Sequence, residues 1–198
     1  MGTDKAALLD ELAADVRDLV DSPLYAYRRE EGYLPVVGDG DPDARVMFIG
    51  EAPGAEEARK GRPFVGAAGR ILDDLLAPIG LERGEVYITN VVKDRPPNNR
   101  DPLAPEIKLY GPFLVRQIEI VQPRVIATLG RFALAFVLTH FGSQVRPRIT
   151  DLHGKPVDLE APYGPVSVVP LYHPASAFYA DGRLEVMAED FQVLKRYL

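Results

Sequence analysis

The chain has 198 residues, 46% of them hydrophobic, enough to bury one sizeable core, and is expected to form a single domain over 1–198. It contains no cysteine, which excludes disulfides, thiolate-held metal or iron–sulfur centres and cysteine nucleophiles. A net charge of −6 argues against coating nucleic acid by bulk electrostatics; no apolar run is long enough to cross a bilayer, and Met1-Gly2-Thr3-Asp4-Lys5 lacks an apolar signal core, so a cytoplasmic location is expected.

In chain order, Leu8, Leu9, Leu12, Val16 and Leu19 fall at helical spacing and predict an amphipathic helix over 4–20, ended by Asp21-Ser22-Pro23. Residues 22–44, punctuated by Pro23, Gly32, Pro35, Gly38, Gly40 and Pro42, read as an irregular connection. It leads into a buried strand at 45–49. A helix over 67–79 follows, with Ile71, Leu72, Leu75 and Leu76 inward and Gly80 as its carboxyl cap. A second strand, 86–91, runs into a loop at 93–102, which its prolines keep from regular structure. A helix over 105–122 packs Ile107, Phe113, Leu114 and Ile118, a third strand spans 125–129, and Gly130 opens a helix to about 139. Residues 149–159 predict a small hairpin around Gly154, 166–171 a fourth core strand, and 185–197 a closing helix. The alternation gives an α/β class: a three-layer α/β/α sandwich around a central, mainly parallel four-stranded sheet.

Charge is unevenly spread. Acidic residues crowd both ends (Asp10, Glu11, Asp15, Asp18, Asp21; Glu185, Glu189, Asp190), whereas Arg59, Lys60, Arg62, Lys93, Arg95 and Arg100 lie together, with Arg146, Arg148 and Lys155 farther on. Such clustering suits either a local positive face or an ordinary solvated surface.

Four stretches sit where a parallel sheet would gather them, beyond the carboxyl ends of its strands: Gly50-Glu51-Ala52-Pro53-Gly54, Pro63-Phe64-Val65-Gly66, Thr89-Asn90 and His173-Pro174. An aromatic face, an amide, a carboxylate and an imidazole suit one flat, polar heterocycle such as a nucleobase. Asn90 carries both a carbonyl and an amine, so it can accept from a ring N–H while donating to the adjacent ring carbonyl. Cytosine presents the opposite pattern there. Binding it would leave polar groups unpaired, at roughly 1–3 kcal/mol per group, so a fixed amide rejects it. The alternative for Asn90 is a strand-end cap.

Together with Gly61-Arg62-Pro63-Phe64-Val65-Gly66, Ile88-Thr89-Asn90-Val91-Val92-Lys93, Arg95-Pro96-Pro97, Thr128-Leu129-Gly130 and Tyr172-His173-Pro174, these motifs resemble the uracil-DNA glycosylase superfamily, in particular its thermostable family 4, over nearly the whole chain. The resemblance implies a monofunctional enzyme that hydrolyses the N-glycosidic bond of deoxyuridine in single- or double-stranded DNA during base excision repair. It also implies a monomer. Members of that branch hold a four-iron four-sulfur cluster on four cysteines, and the resemblance puts those positions at Leu19, Ser22, Asp94 and Tyr110. A variant without cofactor or metal is therefore expected, with an apolar contact through Leu19 and Tyr110 in place of the cluster.

The resemblance further assigns Phe64 to stacking on the base, worth roughly 1–3 kcal/mol, and Glu57 to a wall that clashes with the thymine methyl. His173 would donate to uracil O2 as the anion leaves, assisted by the backbone N–H groups of Glu51 and Ala52 in the turn after Gly50. Glu51 would stabilise the cationic sugar or orient water, whereas the best-known relatives carry a water-activating Asp at the position of Ala52. Arg59, Lys60, Arg62, Lys93, Arg95 and Arg100 would meet DNA, and Phe178 or Tyr179 would wedge into the vacated stack. His140 and His153 read as structural. No lysine is placed for a Schiff base, and the loop after Lys93 has no histidine for a covalent sugar adduct. A uracil-binding module without catalysis and an unrelated phosphoesterase are the competing classes; the second lacks a metal-ligand cluster or nucleophile–base pair.

Overall fold

Strands of parallel sheets covered on both faces read as continuous apolar runs, and the strands at Val46–Gly50, Tyr87–Asn90 and Val125–Leu129 are buried at every position. The computed structural model describes residues 4–198; Met1-Gly2-Thr3, part of the start read above for a signal core, lie outside the described residues. The strands are β1 (Asp39–Gly40), β2 (Val46–Gly50), β3 (Tyr87–Asn90), β4 (Val125–Leu129), β5 (Val157–Ala161) and β6 (Gly164–Leu171). Among the described residues they form one six-stranded sheet of order β1-β3-β2-β4-β6-β5. The expected four parallel strands form its centre (β3, β2, β4, β6), and an antiparallel strand is added at each edge. Both additions escape a periodicity reading for physical reasons. β1 is two residues long within a Gly- and Pro-rich stretch, and β5 is an edge strand whose Asp158 and Glu160 face solvent.

Side chains of successive strand residues point to opposite faces, and two hydrophobic clusters result. Met47, Ile49 and Ile126 pack with α1 (Lys5–Arg17), α5 (Ala104–Val121) and α6 (Arg131–His140), through residues such as Leu12, Leu114 and Val137. Val46, Phe48, Val125 and Ala127 pack on the other face with α4 (Ala67–Leu76) and α8 (Arg183–Phe191), through Leu72, Leu76 and Phe191. The layers are therefore helix, sheet, helix, as expected.

Several local readings change. The first helix ends at Arg17, leaving Leu19 beyond it. The connection before β2 contains α2 (Tyr25–Glu30), and the turn after β2 winds into α3 (Ala55–Lys60); both are single short helices, too brief for a periodic signal. Residues 149–159 do not form a hairpin around Gly154. They contain α7 (Ile149–Leu152) and lead into β5, and the hairpin is β5–β6, closed through Pro162 and Tyr163. Gly80 caps the turn after α4 in the left-handed conformation, φ 77°, as expected.

Gly69 lets α4 lie against the backbone of the preceding turn, where a Cβ would fall 1.9 Å from the Phe64 carbonyl oxygen. Gly69→Ala is expected to cost about 1–3 kcal/mol of overpacking in denaturant unfolding. Gly84→Ala, where a Cβ meets nothing within 4 Å, should leave the midpoint unchanged or slightly raised.

Candidate active site

The parallel register brings Gly50 of β2 beside Asn90 of β3, and Leu129 of β4 beside Leu171 of β6, so their carboxyl ends open onto one rim. A cleft of about 800 Å³ occupies that rim, walled by Glu51, Ala52, Glu57, Phe64, Asn90 and His173. A Cβ on Gly50 would lie 2.4 Å from Asn90 Oδ1 and 2.8 Å from the Phe64 ring. The absent side chain lets amide and ring meet over the strand end. On the other side, Gly130 adopts φ 93°, and a Cβ there would stand 3.2 Å from that of His173. The Phe64 and His173 rings face each other with centroids 5.7 Å apart. The structure thus brings the predicted aromatic ring, amide and imidazole to a single slot.

Phe64 has φ 50°, an outlier for a bulky residue, which persists only where its surroundings over-determine it. Glu57 supplies much of that constraint. Its Oε1 accepts from the backbone N–H groups of Val65 and Gly66 at 3.0 and 2.8 Å, and Arg83 donates to the carbonyl of Pro63. Glu57 is thus a cleft wall and also the clamp of the Phe64 turn, a second task invisible in the sequence.

Asn90 is buried, and its Oδ1 has no hydrogen-bond partner among the described residues. Buried acceptors are nearly always satisfied, so this one is an exception in need of a cause. His173 Nδ1 accepts from the N–H of Ala175 at 3.2 Å, which leaves Nε2 as the protonated nitrogen of a neutral ring. Burial pulls its pKa down to about 4, against the opposing charge of Glu57. Burial also pushes Glu51 up to about 7, with Asp101 adding to the rise and Arg131 countering it.

The basic residues separate into groups. Arg100 lines the cleft and grips Glu106; Arg95 donates to Asn99 and to Tyr33 beside it. Arg59 and Lys60 on α3 pair with Glu56, and Arg62 pairs with Asp39, all outside the cleft lining. Lys93 corrects the expectation of a surface cation. It is fully buried, and its amine donates to Thr89 Oγ1 and the Asn90 carbonyl, both at 2.7 Å, and to Gln117. Burial holds the amine well below the ordinary lysine range, and no phosphate can reach it. It fixes the backbone of Asn90 instead. Of the two wedge candidates, Tyr179 lines the cleft and is 87% exposed, whereas Phe178 is 53% exposed and lies outside the lining. His140 stacks on Phe136, and His153 bonds Asp190; neither lines the cleft.

Sequence reasoning missed Asp101, Arg131 and Ser176. Asp101 and Arg131 form an exposed ion pair at the cleft mouth, and Ser176 has a buried hydroxyl with no partner among the described residues. The signals were present: Arg131 follows Thr128-Leu129-Gly130 at the start of α6, and Ser176 follows His173-Pro174-Ala175.

A family model described as the uracil DNA glycosylase superfamily matches residues 37–195. The chain belongs to the uracil DNA glycosylase superfamily. Among the proteins it is similar to are three named Type-4 uracil-DNA glycosylase. That of Sulfurisphaera tokodaii is 45% identical over 81% of this chain and 73% of its own length. That of Archaeoglobus fulgidus is 42% identical over 93% and 90%, and that of Thermotoga maritima 44% identical over 85% and 82%.

The resemblance puts Leu19, Ser22, Asp94 and Tyr110 at the cluster positions. Ser22, Asp94 and Tyr110 are buried together, and the contact is polar rather than the expected apolar one. Tyr110 donates to Asp94 Oδ2 at 2.6 Å and lies 2.7 Å from Ser22 Oγ, while Arg28 donates to Asp94 Oδ1 at 3.2 Å. Leu19 only packs at the margin of the core. A guanidinium beside the sole carboxylate, with no thiolate, does not fit an iron–sulfur cluster or another cation. Among the described residues no group of three or more metal-ligating side chains occurs.

Proposed function

We propose that the chain is a monofunctional uracil-DNA glycosylase of base excision repair, which hydrolyses the bond between uracil N1 and deoxyribose C1′ and leaves an intact abasic site. The observation that carries this reading is the orphaned Asn90 Oδ1 in a cleft also walled by Phe64 and His173. An extrahelical uracil offers N3–H to that oxygen and its face to Phe64. Extruding the base costs a few kcal/mol; stacking on Phe64 and an aromatic wedge, Tyr179 by its exposure, offset this. Arg131 and Arg100 are suited to phosphates flanking the flipped nucleotide, with Arg95 behind them; Arg59, Lys60 and Arg62 can meet the duplex only farther out.

The C1′–N1 electron pair leaves with uracil, whose charge spreads over O2 and O4. Nε2–H of His173 donates to O2, aided by the N–H groups at Glu51 and Ala52. Water then adds to C1′ and its proton passes to solvent, while the uracil anion takes up a proton to leave as neutral uracil. Glu51, ionised, stabilises the cationic sugar and orients that water. Glu57 stands as the wall against a 5-methyl group. No lysine serves as a nucleophile in this scheme.

Incubation with single-stranded and duplex oligonucleotides containing U, T, hypoxanthine or C, followed by alkali, tests the proposal. Cleavage at U alone supports it. Tight binding to uracil-containing DNA without alkali-labile sites would favour a binding module instead.

The carboxylate role of Glu51 predicts a pH dependence. Because its pKa is raised to about 7, the ionised form accumulates above that value, and kcat/KM should climb through neutrality. Glu51→Gln should abolish this limb. Asp101→Asn removes a neighbouring negative charge and should move the limb to lower pH.

A further inference from the structure

The buried network around Asp94 joins segments that are far apart in sequence. Ser22 follows α1, Arg28 lies on α2, Asp94 ends the run after β3, and Tyr110 lies on α5. Arg28 also donates to the carbonyls of Val16 and Arg17 at the end of α1, at 3.3 and 2.7 Å, and the N–H of Leu24 donates to Ser22 Oγ. All four side chains are at most 6% exposed. Each polar atom that bonds here satisfies another, as a buried network requires if it is to hold one geometry.

The segment leaving Asp94 is the cleft wall: Pro96, Asn99, Arg100 and Asp101 all line it. Two successive residues are in the left-handed region, φ 56° at Asn98 and 52° at Asn99. Such conformations persist when both flanks are held. The far flank is held by Glu106, buried, which grips Arg100 and accepts from the N–H of Leu103. Asp94 holds the near flank.

We propose that the Ser22–Tyr110–Asp94–Arg28 network, three of whose members stand where the resemblance puts cluster cysteines, is a metal-free clasp that positions the DNA-facing wall 95–101. Its members are positioning residues, not catalytic ones, and their effect on DNA rests on the glycosylase reading above. Tyr110→Phe removes one hydroxyl, leaving Ser22 and Asp94 each short of a partner, while preserving the ring in the core. Ser22→Ala removes the outer link.

The test compares these variants with an Ile79 substitution, to Val or Ala, chosen to match the loss of Tm; Ile79 packs on the opposite face of the sheet and does not line the cleft. Tyr110→Phe is expected to raise KM for a uracil-containing oligonucleotide about tenfold, keep kcat within about threefold, and speed amide hydrogen exchange at 95–101. Ser22→Ala should shift the same readouts in the same direction. The Ile79 variant should move neither KM nor that exchange. A KM shift no larger than that of the matched Ile79 variant, or unchanged exchange at 95–101, would overturn the clasp. Exchange is read without turnover, so absence of uracil release by the wild type would sink the glycosylase reading and leave the exchange arm to decide this one.

Discussion

His173→Ala is expected to lower kcat for uracil release by about 10²–10³-fold, the usual cost of removing one preorganised donor to a developing anion. The donor is preorganised because Nδ1 is already occupied by the Ala175 N–H, at the first turn after Pro174, which fixes the tautomer with Nε2 protonated. Gly130 admits the ring to this position, and Phe64 covers one side. Since burial holds the imidazole at about 4, the ring is neutral when it acts. Activity should therefore not fall as pH rises through the ordinary histidine range, which an imidazolium donor would require. The same shift has a stability consequence of definite sign. The unfolded chain binds a proton near 6.5 that the folded chain refuses down to about 4, so stability present above 6.5 declines as pH falls across that window. His173→Ala should remove that part of the slope in denaturant unfolding measured from pH 7 to 4.

Asn90→Ala is expected to lower kcat/KM by roughly 30- to 10⁴-fold, from two contacts to a buried base at about 1–3 kcal/mol each. Binding of the DNA backbone should change far less, because phosphate contacts carry no base identity. Asn90 is held at both levels: its carbonyl accepts from the buried Lys93 amine, and its side chain rests above Gly50 against Phe64. Lys93→Met should therefore reproduce part of the Asn90 defect without removing any group that touches the base. Steady-state kinetics on a single uracil-containing oligonucleotide, with binding measured alongside on its thymine counterpart, separates the two effects.

Much of this arrangement was legible in the sequence where a physical period exists. The apolar runs at β2, β3, β4 and β6 and the helical spacing of α1, α4 and α5 are long enough to show which face is buried, and parallel topology then fixes which ends converge. Asn90 and His173 could be placed because each directly follows such a run. What stayed hidden was short or depended on partners. α2, α3 and α7 span 6, 6 and 4 residues, below the length at which helical spacing is visible. Lys93 looks like a surface cation among its basic neighbours, and the partners that let it be buried include the distant Gln117 on α5. Arg28 had no local signal either, since its partner Asp94 lies 66 positions away. The left-handed backbone at Phe64 follows from clamping by Glu57 and Arg83, which sequence alone does not pair with it.

A crystal structure of the His173→Ala protein bound to duplex DNA with one uracil is the most direct test. The uracil ring should lie extruded against Phe64, with N3–H donated to Asn90 Oδ1 and C5 turned toward Glu57. A uracil still stacked in the helix, or one bound with Asn90 Oδ1 left unpaired and Phe64 out of contact, would contradict the account.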